Sequence, residues 1–342
     1  MSLLPKPTLR YYEDYAQSFE EYEEAALAAK RAVTELLRGN VRGVLSVEAR
    51  AKDPLSLLDK LRRKEYTNPE EQLKDLVGVR VITQYPDDAE AAVVVLEGQL
   101  DIDPDESYDQ LAQLDPTSFA YRSIHLIASL TAAQAAIVPK LGDRWFEIQV
   151  RSLLQHAWAE VDHEIKYKSG VEFPPELERR LAAIAGSLET LDQAFLDLRD
   201  TRARLINDYV REYRAGEKTD TDFDAARLVA YLECTRPDGG SLQEASTVLP
   251  AAHGHIEKVL VDGLKTVGLT TARLMGKALE DPSNQALIAD HAATLGISTD
   301  AVSHLAICLI LIWTENPDVL NIQFPELRFD SDLADTLGFD VM

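Results

Sequence analysis

Six cationic side chains (Arg50, Lys52, Lys60, Arg62, Arg63 and Lys64) fall within fifteen residues of a chain whose formal net charge is −23. Only Asp53 and Asp59 inside the stretch, and Glu48 just before it, dilute them. An acidic protein that gathers cations in one place has a local use for them, and a multiply charged anion such as a nucleoside triphosphate suits such a cluster. Asp75 stands where a loop meets a β-rich apolar run. Its carboxylate can project from a sheet edge toward a ligand, although a turn or cap is the plainer reading of one aspartate alone. Glu147, Gln149 and Arg151 alternate with Phe146, Ile148 and Val150, so in a strand the polar three share one face and the apolar three turn to the core. Such a polar row on an interior strand is costly unless it lines a polar cleft; a solvent-facing edge strand is the competing reading. Tyr121, Ser123 and His125 alternate likewise, offering a ring to stack on a base and an imidazole to reach a phosphate or hydroxyl. Two carboxylates from separate strands, Asp75 and Glu147, suit Mg²⁺, which takes one or two carboxylates and fills its shell with water and substrate phosphates. Together these groups point to phosphoryl or nucleotidyl transfer, chemistry that runs on positioning and charge neutralisation. His156, Glu160 and His163 follow at helical spacing. They lack the His-Glu-x-x-His pattern, and a polar helix face with Asp162 and Lys166 paired is the simpler reading.

The elements that must position these residues follow from periodicity. Tyr11–Leu37 has helical spacing and ends at Gly39-Asn40. Val44–Ala51 alternates like a strand, and Asp53-Pro54 opens a helix that continues over Leu55–Arg63. Leu76–Gln84 predicts a buried strand ended by Tyr85-Pro86, and Asp88–Leu100 a helix crossing back over the sheet. Arg122–Leu130 and Arg144–Arg151 predict two more strands, with a short helix between them. Ser152–Lys168 predicts a charged helix, and Pro174-Pro175 starts another toward Arg214. Ala215–Asp224 is polar and acidic and reads as a linker or loop; beyond it the chain reads as mostly helical, punctuated by Gly240, Gly254, Gly268 and Gly296.

At 342 residues with 46% hydrophobic composition, the chain has the length for two soluble globular domains. The expected division is 1–215 and 216–342. From Ala215 onward there are 20 acidic against 8 basic residues, a net −12 of the total −23. Strong acidity argues against nonspecific binding to DNA or to an anionic membrane. The N-terminus has no signal-peptide core, and the longest apolar run, Leu305–Trp313, is too short to span a bilayer. Cys234 and Cys308 have no metal or redox spacing and read as free buried thiols, so a reducing cytoplasm is expected.

On these residues the sequence resembles the RelA/SpoT-type (p)ppGpp synthetases. Arg50-x-Lys52-x-x-x-Ser56-x-x-x-Lys60 resembles that family's ATP-binding motif, and Asp75-x-x-Gly78-x-Arg80 resembles the strand carrying its magnesium aspartate. Tyr121-Arg-Ser-Ile-His125 resembles the acceptor-side motif, and Glu147-Ile-Gln-Val-Arg151 the segment with the catalytic glutamate. The helix from His156-Ala-Trp158-Ala-Glu160 to Tyr167-Lys168 resembles the closing helix, so that about residues 10–210 are covered. The resemblance implies an α+β fold: a mixed β-sheet flanked by helices, nucleotidyltransferase-like, followed here by a mostly α-helical C-terminal domain. It implies that Arg50 stacks on adenine and that Lys52, Ser56 and Lys60 hold the ATP phosphates, with Arg62 and Lys64 of the same cluster on the ATP side. Asp75 and Glu147 would bind Mg²⁺, and Glu147 would activate the acceptor's 3′-hydroxyl. Tyr121 would stack on the acceptor base, and His125, Gln149 and Arg151 would complete the acceptor side. The implied reaction moves the β,γ-pyrophosphate of ATP to the ribose 3′-hydroxyl of GTP, GDP or GMP and releases AMP.

Asp115-Pro-Thr-Ser-Phe-Ala-Tyr121 departs from the family, with Phe119 and Ala120 where an Asn-Gly usually helps to read guanine. The same chemistry on an adenosine nucleotide or a tRNA 3′ end, or a nucleotide-binding regulator that has lost catalysis, are the alternatives. A small, single-activity synthetase is expected, without a hydrolase module. The acidic tail is expected to serve structure or homo-oligomerisation; regulation, or a toxin neutralised by an antitoxin-like partner or domain, is the other reading.

Overall fold

The alternation over Val44–Ala51 does form a strand, the first of a five-stranded sheet, in the computed structural model. The structure describes residues 4–64, 66–109, 123–138, 141, 142, 144–168, 174–235, 256–286 and 289. Met1–Asp197 and Leu198–Met342 form two compact units, each taken here by itself.

The first unit runs α1 (Lys6–Gln17), α2 (Phe19–Leu37), β1 (Val44–Ala51), α3 (Pro54–Arg63), α4 (Pro69–Gln72), β2 (Val77–Thr83), α5 (Pro86–Glu97), β3 (Asp101–Asp109), β4 (Ile124–Ser129), α6 (Ala132–Ile137), β5 (Phe146–Ser152) and α7 (Leu153–Lys168), and reaches into α8 (Pro175–Arg214). The sheet order is β1-β2-β5-β4-β3. Only the central β2–β5 pair is parallel, and the other three pairs are antiparallel. This mixed sheet flanked by helices is the expected architecture. Val77, Val79 and Val81 of β2, Leu126 and Ala128 of β4, and Phe146, Ile148 and Val150 of β5 pack with α2 and α5 in one apolar core. Phe146, Ile148 and Val150 are fully buried, so Glu147 and Gln149 turn to the opposite face, as alternation requires. One face of the sheet therefore holds the fold together, and the other is free for polar chemistry.

Three local features differ from the sequence-based expectation. The single helix over Tyr11–Leu37 is two helices meeting at Ser18 (φ −97°, ψ 15°), and the first begins at Lys6, directly after Pro5. The break brings Tyr15 against Phe19 edge-on at 6.0 Å and against Tyr22 at 4.6 Å between ring centroids. Those rings border a second cluster, Tyr15 with Leu57, Leu61, Leu73 and Leu76, that ties α1 to α3. Strand β3 was not foreseen: Asp101–Asp109 is acidic and contains Pro104, a composition that only an edge strand tolerates. Ser152 closes β5 and caps α7 rather than opening it. Its amide donates to Gln155 Oε1 at 2.7 Å, its Oγ accepts from the Gln155 amide at 3.2 Å, and its hydroxyl donates to Asp192 of α8 at 2.9 Å.

In the second unit α8 ends at Arg214, and Gly216 two residues on has a φ of 73°, the left-handed conformation that stops a helix at low cost. The polar loop leads to α9 (Ala225–Thr235), followed by α10 (Ile256–Thr266) and α11 (Ala272–Glu280). Phe223, Leu228, Leu260, Leu264 and Met275 are buried there, and the Arg227 guanidinium lies 3.9 Å from the Tyr209 ring centre. Cys234 is free and only half-buried. Gly240, Gly254, Gly296, Cys308 and the apolar run Leu305–Trp313 lie outside the described residues. Among the described residues no helix is long and apolar enough to cross a membrane.

Candidate active site

Over the polar face lies a cavity of about 690 Å³, lined by residues of β1, α3, β2, β5 and α7. That volume suits a nucleotide. Sequence and local folding explain how α3 serves it. Asp53 caps the helix by accepting from the Ser56 amide at 2.9 Å, with Pro54 in the first turn. Leu57 and Leu61 are then buried, while Ser56, Lys60, Arg63 and Lys64 face the cavity. Lys60 and Arg63 belong to the last turn of the helix and Lys64 is its C-cap, so these cations and Ser56 of the first turn line the cavity from opposite ends of α3.

Lys52 leaves the end of β1, where its amide extends the ladder by bonding Leu76 O at 2.8 Å. Its side chain and that of Lys60 converge on Asp75 Oδ2, at 2.8 Å and 2.6 Å. Burial alone would raise the Asp75 pKa, but the two ammonium groups outweigh it and hold the carboxyl below its usual range. The second oxygen, Asp75 Oδ1, is buried and has no hydrogen-bond partner among the described residues. In the β1–β2–β5 ladder Arg50 stands opposite Gly78, and Gly78 opposite Glu147. The missing side chain at Gly78 leaves the floor open between the basic strand and the Glu147 carboxylate.

Glu147 is held from two sides. His125 Nδ1 lies 2.8 Å from Oε1, and Gln149 Nε2 donates to Oε2 at 2.9 Å. Burial raises its pKa and the charge of Asp75 adds to that, yet the His125 and Gln149 hydrogen bonds prevail and keep it below the usual carboxylate range. Behind His125, Ser123 Oγ lies 3.0 Å from Nε2, and Arg151 Nε donates to Ser123 at 2.8 Å. Tyr108 of β3 stacks on the His125 ring at 4.6 Å and 12°. Arg80, opposite Gln149 across the ladder, pairs with Glu160 of α7 at 3.0 Å and with Glu48 at 3.9 Å.

Asp75 and Glu147 fit a hard divalent cation. Both carboxylates are kept ionised, they repel one another, and one Asp75 oxygen is orphaned. Among the described residues no group of three acid, His or Cys side chains could hold a metal alone, so substrate oxygens and water would complete the shell.

Residues 49–172 match the family model for the region found in RelA / SpoT proteins. The chain is 27% identical over 159 residues to GTP pyrophosphokinase YjbM of Bacillus subtilis, covering 45% of this chain and 71% of that protein. It is 30% identical over 156 residues to GTP pyrophosphokinase YwaC of Bacillus subtilis, covering 44% and 72%. The chain belongs to the RelA/SpoT family. The crystal structure of small alarmone synthetase 1 from Bacillus subtilis is also similar, with a TM-score of 0.46 and 24% identity over 55% of this chain and 97% of that one.

Of the residues singled out in this family member's sequence, Arg50, Lys52, Ser56, Lys60, Lys64, Asp75, Glu147 and Gln149 line one cavity. Arg62 is not among the lining residues and lies 4.0 Å from Asp59. His125 and Arg151 sit one layer behind, reaching the cavity through Glu147 and Ser123. Tyr121 and the Asp115–Ala120 segment lie outside the described residues, as do the Lys166, Tyr167 and Lys168 side chains. His163 lines the cavity and Glu160 engages Arg80, so the helix face read as merely polar borders the site. Among the described residues His156 Nδ1 is buried without a hydrogen-bond partner, and burial, then the Arg80 charge, lowers its pKa. Sequence reasoning missed Tyr15, whose hydroxyl donates to Lys52 O at 2.5 Å, and Tyr108. No short-range spacing signals either contact; a tyrosine in an apolar helix stripe was the only trace of the first.

Proposed function

We propose that the chain is an ATP-dependent pyrophosphokinase that transfers the β,γ-pyrophosphate of ATP to the 3′-hydroxyl of a guanosine nucleotide. The observation carrying this reading is the cavity where Asp75, clasped by Lys52 and Lys60, faces the oriented carboxylate of Glu147. Arg50 covers the adenine, and Lys52, Ser56, Lys60 and Lys64 receive the phosphates, whose charge the cations offset as it redistributes. Asp75 and Glu147 would hold Mg²⁺, which when bound neutralises phosphate charge. Glu147 accepts the proton of the 3′-hydroxyl, the oxygen forms a bond to the β-phosphorus, and the bond from the β-phosphorus to the α–β bridging oxygen breaks. AMP departs with that electron pair. The family's (p)ppGpp chemistry and the pyrophosphokinase names of the two Bacillus relatives support the reaction class.

Phe119 and Ala120, in place of the family's Asn-Gly, favour a second reading in which the acceptor is an adenosine nucleotide or a tRNA 3′ end. One experiment decides. Purified protein is incubated with β-labelled ATP and Mg²⁺, and separately with GDP, GTP, GMP, no acceptor other than ATP, or tRNA. Transfer to a guanosine nucleotide supports the first reading, and transfer only to ATP or tRNA supports the second. No transfer to any acceptor overturns both.

A further inference from the structure

Three neighbouring side chains hold His125. Tyr108 stacks on one face of its ring, and both nitrogens are engaged, one by Glu147 and the other by Ser123. The ring and Ser123 are both buried. We propose that His125 is a positioning residue that holds Glu147 as an aimed base, and that Arg151, acting through Ser123, fixes which nitrogen of His125 carries the proton. This rests on the base role given to Glu147 above.

The direction of the chain follows from donor counting. Arg151 Nε can only donate, so Ser123 Oγ accepts there. The single Ser123 proton is then free for one acceptor, and among the described residues the atom within reach is His125 Nε2, 3.0 Å away. Nε2 accepting leaves the ring proton on Nδ1, which donates to Glu147 Oε1 at 2.8 Å. The opposite tautomer would set two donors, Arg151 and Nε2, on one serine oxygen and strand its proton in a buried site. It would also turn a nitrogen lone pair toward a carboxylate. Arg151 therefore acts on the carboxylate through three hydrogen bonds in series, by way of Ser123 and His125. Gln149 immobilises Oε2 from the other side, so the carboxylate plane is set by residues of β4 and β5 before any nucleotide arrives. An aimed base acts on turnover rather than on ground-state binding.

The test combines a spectrum and a kinetic split on the full-length protein. With ¹⁵N-histidine labelling and the His125 signals assigned by difference against His125→Asn, the expected pattern is a protonated Nδ1 and an unprotonated Nε2. The reverse pattern overturns the proposal. In pyrophosphate transfer, Ser123→Ala is expected to lower kcat roughly tenfold, the scale of one hydrogen bond to a charged centre, with the KM of both nucleotides unchanged. His125→Asn, whose amide nitrogen takes the place of Nδ1, should retain most of the activity. His125→Gln, whose amide nitrogen takes the place of Nε2, should fall with His125→Ala by about a hundredfold, within the range for a general base. A rise in acceptor KM at constant kcat in these variants would make His125 a substrate ligand and sink the proposal. Should the unmodified protein transfer no pyrophosphate at all, the parent reading fails, and the nitrogen spectrum alone then decides the tautomer.

Discussion

Asp75 carries two lysines on one oxygen and, among the described residues, no hydrogen-bond partner on the other, an asymmetry within a single carboxylate. Lys60→Met removes one of the two ammonium groups and, on the proposed function, a phosphate ligand with it. The KM for ATP should rise roughly tenfold or more, since a charge-assisted contact contributes about 1.5–3 kcal/mol, while the acceptor KM stays within a factor of two. Initial-rate kinetics with each nucleotide varied in turn would check this, and a symmetric rise in both constants would contradict the donor-side assignment. Glu147→Gln is nearly isosteric and cannot take the 3′-hydroxyl proton. Its kcat should fall by at least about 10², with binding of an ATP analogue retained by calorimetry; a variant with full turnover would remove Glu147 from the chemistry.

Strand alternation and helix caps place these residues, and two elements can be tested as supports. Tyr15 fixes Lys52 through its backbone carbonyl rather than its side chain. Tyr15→Phe keeps the aromatic packing of α1 and deletes one hydrogen bond, costing about 1 kcal/mol. It should raise the KM for ATP roughly three- to tenfold at near-normal thermal stability, and an unchanged KM would show that the backbone at Lys52 needs no such tie. Ser152→Ala strips the cap of α7 and leaves the buried Asp192 without that donor, so a loss of about 1–3 kcal/mol is expected in chemical denaturation. These cases also explain what the sequence could and could not reveal. The strands β1, β2, β4 and β5, the capped start of α3 and the facing of Glu147 and Gln149 were legible because each depends on spacing within one segment. Tyr15 meets Lys52 across 37 residues and Tyr108 meets His125 across an acidic edge strand, so neither contact leaves a local pattern. Strand β3 was hidden for a related reason: its edge position removes the demand for apolar residues that makes other strands visible. The break at Ser18 carries no Gly or Pro, and only the packing of Tyr15, Phe19 and Tyr22 accounts for it.

At the scale of the whole molecule, two electrostatic effects act in opposite directions as pH falls. The net charge of −23 is self-repulsive, and the first acids to take up protons relieve that repulsion. Asp75, Asp103 and Glu147 behave differently, because each has a folded pKa below its usual value. For Asp75, the dominant burial effect is outweighed by Lys52 and Lys60; for Asp103, the hydrogen bond from Lys74 leads; for Glu147, burial is outweighed by His125 and Gln149. A depressed folded pKa means that the unfolded chain binds the proton first. The stabilisation is therefore complete above the unfolded values, about 4, and is lost as pH drops through the folded ones. The urea midpoint should hold level or rise from pH 7 to about 5 and then fall steeply below about 4. Asp75→Asn and Glu147→Gln should each flatten that lower limb, because the substituted amide has no proton to take up on unfolding. If both variants keep the full acid slope, the clasped carboxylates do not govern acid stability, and the loss must come from protonation spread over the surface instead.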